Sequence, residues 1–101
     1  MGRSAAFHSP RVSLFVSPGQ SNTPTQFSCS VSKKVSKSAV VRNRIRRRGY
    51  AAIEKVLVHI KPGQYGVFSF KKGSEKSSFK MIEKEIVFLL DKSGLSDTIV
   101  T

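Results

Sequence analysis

In RVSLFV, residues 11–16, every second side chain is apolar: Val12, Leu14 and Val16 fall on one side, Arg11, Ser13 and Phe15 on the other. A period of two marks a half-buried strand. It returns in QFSCSVS, residues 26–32, where Phe27, Cys29 and Val31 oppose Gln26, Ser28, Ser30 and Ser32. The intervening SPGQSNTPTQ, residues 17–26, is too rich in Pro, Gly, Ser, Asn and Thr to hold either period and reads as a loop. Two strands joined this way are expected to form an antiparallel pair.

The period then lengthens. Val41, Ile45, Gly49, Ala52, Ile53, Val56 and Ile60 recur at helical spacing, which predicts a helix from about Ser38, a suitable N-cap, to about His59, stopped by Pro62 and Gly63. Gly49 inside it costs about 1 kcal/mol relative to Ala, which points to close approach of helix and sheet. QYGVFSF, residues 64–70, is a third strand, and KKGSEKSS a loop. Ser78 then caps a second helix from Phe79 to about Lys92, with Phe79, Ile82, Ile86, Leu89 and Leu90 inward and Gly94 ending it. The order strand, strand, helix, strand, helix predicts an α+β sandwich with helices packed on a sheet. One domain is expected over residues 1–101, with its core at about 10–94 and a short tail at 95–101.

Charge changes this picture from a generic sandwich to a polyanion binder. The chain carries 18 Lys and Arg against 6 Asp and Glu, a net +12, and no carboxylate precedes Glu54. Such a field opposes compaction and is matched by a polyanionic partner, nucleic acid first. Arg42, Arg44, Arg46, Arg47 and Arg48 crowd two turns of the first helix around Asn43, with Lys33, Lys34 and Lys37 just before it. Like charges at these spacings destabilise an isolated helix, and an ordinary solvated face mixes Glu with Lys. Arginine also binds phosphate bidentately and stacks on bases, while Asn43 can read a base edge or a 2′-OH. A membrane-surface helix fits less well, because the other face is small and aliphatic with no Trp or Phe to insert.

If the two strands bury their apolar sides, Arg11, Ser13, Phe15, Ser28 and Ser30 face solvent. Two readings of that face stand: a wet sheet surface, or a groove in which Phe15 stacks a base and the serines hydrogen-bond a nucleotide strand. Neither half of the chain suggests its own catalytic centre. Glu54, Glu75, Glu83, Glu85, Asp91 and Asp97 all lie outside the basic half, whereas metal-dependent phosphodiester cleavage needs carboxylates gathered at the phosphate. One cysteine and two histidines, His8 and His59, cannot close a zinc site, so no metal or cofactor bound by the protein is expected. The lone Cys29, the lack of any apolar run near ~20 residues and the lack of a signal-like N-terminus predict a cytoplasmic protein with no membrane partner.

The run FSCSVSKKVSKSAVVRNRIRRR resembles the signature of the bacterial ribonuclease P protein family. That signature is a strand ending in Ser-Lys-Lys, here Ser32, Lys33 and Lys34, then a turn and Ala-Val-x-Arg-Asn-Arg-Ile-basic-Arg on a helix, here Ala39 to Arg47. The likeness runs from about Gly2 to Gly94. It implies a small α/β sandwich of the ribosomal protein S5 second-domain class, with a mixed sheet and a left-handed βαβ crossover, against the usual handedness. It implies a 1:1 partnership with a catalytic RNA, contacted by Lys33, Lys34, Arg42, Asn43, Arg44, Arg46 and Arg47, beside which Lys37 and Arg48 are counted from their position. A cleft of Ser13, Phe15, Ser28 and Ser30, next to Arg11, would take the 5′ leader of precursor tRNA. Hydrolysis would rest with magnesium held by the RNA.

Three departures accompany the likeness. Family members begin with a helix that helps wall the cleft, and this chain starts at about the point where it would end; either the start lies further upstream or the cleft is open on one side. The turn Val35 to Ala39 is one residue longer than usual, and Gly49 stands where a larger residue is common. Beside this reading stand a non-catalytic RNA-binding module, such as a ribosomal protein or RNA chaperone, and a protein nuclease.

Overall fold

Val12, Leu14, Val16, Cys29, Val31, Phe68 and Phe70 form the inner face of a sheet and are all nearly or fully buried. The computed structural model describes residues 4–96. Its strands are β1 (Ala5–His8), β2 (Val12–Pro18), β3 (Gln26–Val31) and β4 (Gln64–Phe70), and its helices are α1 (Ala39–Val56) and α2 (Phe79–Ser93). The sheet order is β1-β2-β4-β3, with β1–β2 and β2–β4 antiparallel and β3–β4 parallel. Both helices pack on one face, completing a mixed α+β sandwich.

The expected pairing of β2 with β3 is therefore corrected: β4 lies between them. The loop after β2 does not turn back as a hairpin but crosses the end of β4. It is tied to the turn that precedes β4: the Gly19 amide donates to the Gly63 carbonyl, the Gly63 amide to Thr23 and the Thr25 hydroxyl to Lys61, at 2.9, 2.9 and 2.6 Å. Crossing one strand requires about 10 Å, well within reach of residues 19–25. β3 then runs into α1 and returns as the parallel neighbour β4, the ordinary consequence of a helical crossover.

Strand β1 is an element that the period of two did not reveal, since AAFH is too short to show it. Ser9 and Arg11 make its turn by binding the Glu85 carboxylate of α2: the Ser9 hydroxyl and the Arg11 amide donate to Oε1 at 2.6 and 2.8 Å, and Arg11 Nη1 to Oε2 at 3.0 Å. Burial raises the Glu85 pKa, but these hydrogen bonds and the Arg11 charge outweigh it, leaving the carboxyl below its ordinary range.

The helices begin where their caps lie. Ser38 accepts the Val41 amide and Ser78 the Met81 amide, while Gly94 ends α2 with φ of 79°, a left-handed conformation that suits glycine. α1 ends at Val56, and Leu57–His59 continue as a single 3₁₀ turn. Gly49 has the predicted role: an added Cβ would lie 2.8 Å from both Cys29 Sγ and Phe70 Cζ. At the other end, Leu95 and Ser96 are buried, and Ser96 bridges Ile60, so the packed chain extends past the expected tail boundary. Asp97 and the rest of the tail lie outside the described residues.

Candidate nucleic-acid interface

α1 rests on the sheet through Ile45, Gly49, Ala52, Ile53 and Val56, which leaves its N-terminal two turns to present the arginines. They divide by what they touch. Arg42 is half-buried, and its Nη1 donates to the Ser36 carbonyl at 2.9 Å, closing the turn before the helix. Arg46, also half-buried, donates to Asn43 Oδ1. Arg48 Nη1 donates to the Ser77 carbonyl at 3.0 Å, next to the cap of α2. Arg44 and Arg47 are exposed, and their side chains make no hydrogen bond or ion pair among the described residues. Among the described residues the ion pairs are Arg11–Glu85 and Lys55–Glu83, and none joins a carboxylate to the cluster.

The turn before α1 extends this surface. Val35 is buried and anchors it, and its amide donates to the Ser32 carbonyl at 3.0 Å, so Lys33, Lys34 and Lys37 are held outward. Facing them, Lys71 and Lys72 leave the end of β4, and the two segments enclose an open groove of about 710 Å³. Lys71 Nζ donates to the Ser9 carbonyl at 2.8 Å, whereas Lys72 is exposed. A second groove of about 480 Å³ follows the flank of α1 past Val40, Asn43, Arg46, Arg47 and Tyr50. The Tyr50 hydroxyl accepts the Cys29 amide at 3.1 Å, occupying one donor on the free edge of β3.

The open sheet face only partly matches its predicted lining. Phe15, at 44% exposure, and Ser28 and Ser30 lie on it. Arg11 instead turns to Glu85, and Ser13, at 4% exposure, is covered by β1, where His8 Nδ1 lies 2.8 Å from its hydroxyl oxygen. Both differences trace to the unforeseen first strand. The same face carries Tyr65 and Val67 of β4, at 46% and 37% exposure. Their alternation with Gly66, Phe68 and Phe70 is written in QYGVFSF as the same period of two that marks β2 and β3.

Cys29 takes no part in this surface. Burial, partly opposed by the charge of Arg46, pushes its thiol up to about 12, so the reactive thiolate is suppressed. Among the described residues no three His, Cys, Asp or Glu side chains are grouped to share a metal ion, and no helix is long and apolar enough to cross a membrane.

The chain is similar to known proteins in sequence and in fold. Residues 2–94 match the family model described as Ribonuclease P. The chain is 35% identical over 88 residues to the ribonuclease P protein component of Microcystis aeruginosa, covering 87% of this chain and 73% of that one. It is 38% identical over 83 residues to that of Rippkaea orientalis, covering 81% and 65%. In fold it is similar to the RNase P protein of Staphylococcus aureus, with a TM-score of 0.79 at 16% identity over 93% of this chain and 84% of the other. The Thermotoga maritima RNase P protein gives 0.79 at 14% identity over 89% and 84%.

Proposed function

Because the chain belongs to the ribonuclease P family of protein components, we propose that it binds the catalytic RNA through the basic turn and α1, and the 5′ leader of precursor tRNA on its open sheet face. One observation carries most of this reading: five arginines and three lysines converge on one end of the fold with no carboxylate paired to them among the described residues. Arg44, Arg47, Lys33, Lys34 and Lys37 point outward as RNA contacts. Arg42, Arg46 and Arg48 set the helix and its neighbours while adding to the field, and Asn43 offers the hydrogen-bonding group among them.

Leader binding rests on Phe15, Ser28 and Ser30, in the manner of sheet surfaces that stack unpaired bases on exposed aromatics. Magnesium held by the RNA would supply hydrolysis. The protein's part, on this reading, is to bind and orient substrate. In this reading residues 1–101 act as one domain, one copy per RNA, in the cytoplasm.

Reconstitution tests the assignment. Added to a bacterial ribonuclease P RNA at low magnesium, the protein should restore removal of the 5′ leader. Intact RNA binding with no stimulation would instead favour a non-catalytic RNA-binding module, and magnesium-dependent cleavage by an RNA-free preparation would indicate a protein nuclease.

A further inference from the structure

The exposed sheet face has two ends. At one, the ends of β3 and β4 meet the basic turn, where Val31 pairs with Phe70 and the lysines begin. At the other, Gln26 of β3, Tyr65 of β4 and Ser17 of β2 lie side by side in register. That second row is about 17 Å of strand from the first. Phe15 lies between them, opposite Val67 and one diagonal step from Tyr65, a separation of about 7–8 Å. Two aromatics on neighbouring strands at that spacing suit two bases splayed from one single strand.

Tyr65 is also a positioned ring. It lies so close to the chain leaving β2 that a Cβ on Gly19 would be 3.0 Å from Tyr65 Cε2 and 3.2 Å from Cδ2. A glycine at that point leaves room for the ring, which is supported from one side and still 46% exposed. Beside it the exposed amide of Gln26 can donate and accept at a base edge, and the half-buried Ser17 hydroxyl can bond the strand's backbone.

We infer that Tyr65, Gln26 and Ser17 form a second nucleobase subsite, one platform beyond Phe15, for an unpaired base of the leader. The inference rests on the leader-cleft reading of the open face. It adds that the cleft continues away from the basic end, so Tyr65 engages a nucleotide farther from the cleavage point than the one on Phe15.

The experiment uses the enzyme reconstituted from this protein and a bacterial ribonuclease P RNA, with precursor tRNAs whose leaders shorten one nucleotide at a time. With the wild type, affinity should rise in two steps as the leader lengthens. Tyr65→Ala should remove the outer step, a loss on the order of 10-fold for long leaders, and leave the shortest leaders unchanged. Tyr65→Phe should keep both steps. Phe15→Ala should remove the inner step. If Phe15→Ala weakens leader binding and Tyr65→Ala does not, the second subsite is wrong and the cleft stands. If neither matters at any length, the cleft reading falls with it. Equal loss at every length, mature tRNA included, would make Tyr65 a structural residue and overturn the subsite. Should Tyr65→Ala melt early, Tyr65→Leu, which fills the space beside Gly19 without a ring face, should show the same loss of the outer step; its retention would overturn the subsite.

Discussion

Gly49→Ala sets two known effects against each other at one atom. Helix propensity alone favours the substitution by about 1 kcal/mol. The new Cβ, however, would lie 2.8 Å from Cys29 Sγ and from Phe70 Cζ, and 3.2 Å from Phe70 Cε2. Carbon contacts are most favourable at roughly 3.5–4.0 Å, so the methyl group enters well inside the contact distance of two strands at once. Neither neighbour can swing out, since Cys29 is 7% and Phe70 3% exposed, and Phe70 packs within the core. Forcing a methyl group into a packed core costs about 1–3 kcal/mol. Set against the helix gain, that leaves a net loss of up to about 2 kcal/mol, and at the least no gain.

Thermal unfolding measures the outcome, at about 4–8 °C per kcal/mol for a domain of this size. Combining Gly49→Ala with Cys29→Ala should be less damaging than the sum of the two, because removing Sγ relieves half of the clash. A higher melting temperature for Gly49→Ala would refute the reasoning, since it would mean that α1 does not press on the sheet at this turn.

Arg44→Ala and Arg47→Ala should each flatten the dependence of log affinity for the catalytic RNA on log salt by roughly 0.7–0.9, without lowering the melting temperature; an unchanged slope would place the RNA elsewhere. Arg48→Ala should also destabilise the fold, because it releases the Ser77 carbonyl beside the cap of α2. Glu85→Gln should lose roughly 1–3 kcal/mol near neutral pH as charged hydrogen bonds to Ser9 and Arg11 weaken. Because the folded carboxyl titrates lower than the unfolded one, its stabilisation is complete above the unfolded value of about 4.3 and is lost as pH falls through the folded value. Denaturant melts across that acid range should show a shallower pH dependence for Glu85→Gln, and identical slopes would exclude the carboxylate as their source.

Secondary structure was readable wherever a period had room to repeat. The strand residues from Val12 to Val16, the buried stripe of α1 and both serine caps lie where alternation, helical spacing and capping chemistry put them. Pairing was not readable, because a period of two fixes which side is buried and says nothing about the neighbouring strand. What places β4 between β2 and β3 is a set of hydrogen bonds between the Gly19 amide, Thr23 carbonyl and Thr25 hydroxyl and the turn at Lys61–Gly63, a long-range fact invisible in either segment alone. The four residues of β1 are too few to show a period, and the Glu85 carboxylate that fixes the turn after them lies 76 and 74 positions from Ser9 and Arg11.

The same distinction separates the arginines. Periodicity puts Arg42, Arg44, Arg46, Arg47 and Arg48 on the exposed circumference of a helix, but whether a guanidinium is already employed depends on carbonyls supplied from elsewhere. Ser36 and Ser77 supply them to Arg42 and Arg48, and Asn43 engages Arg46. In the proposed complex the RNA would meet Arg44 and Arg47, which have no hydrogen bond or ion pair among the described residues, on a helix whose other arginines hold it in place. Density of charge gives attraction; in the proposed complex the fixed turn and helix would convert it into a particular spacing of phosphate contacts, because rigid donors lose less freedom when they bind than mobile ones. The basic end is thus a shaped surface, and under the proposed reading the sheet leading away from it, through Phe15 to Tyr65, would give a single strand a direction in which to continue.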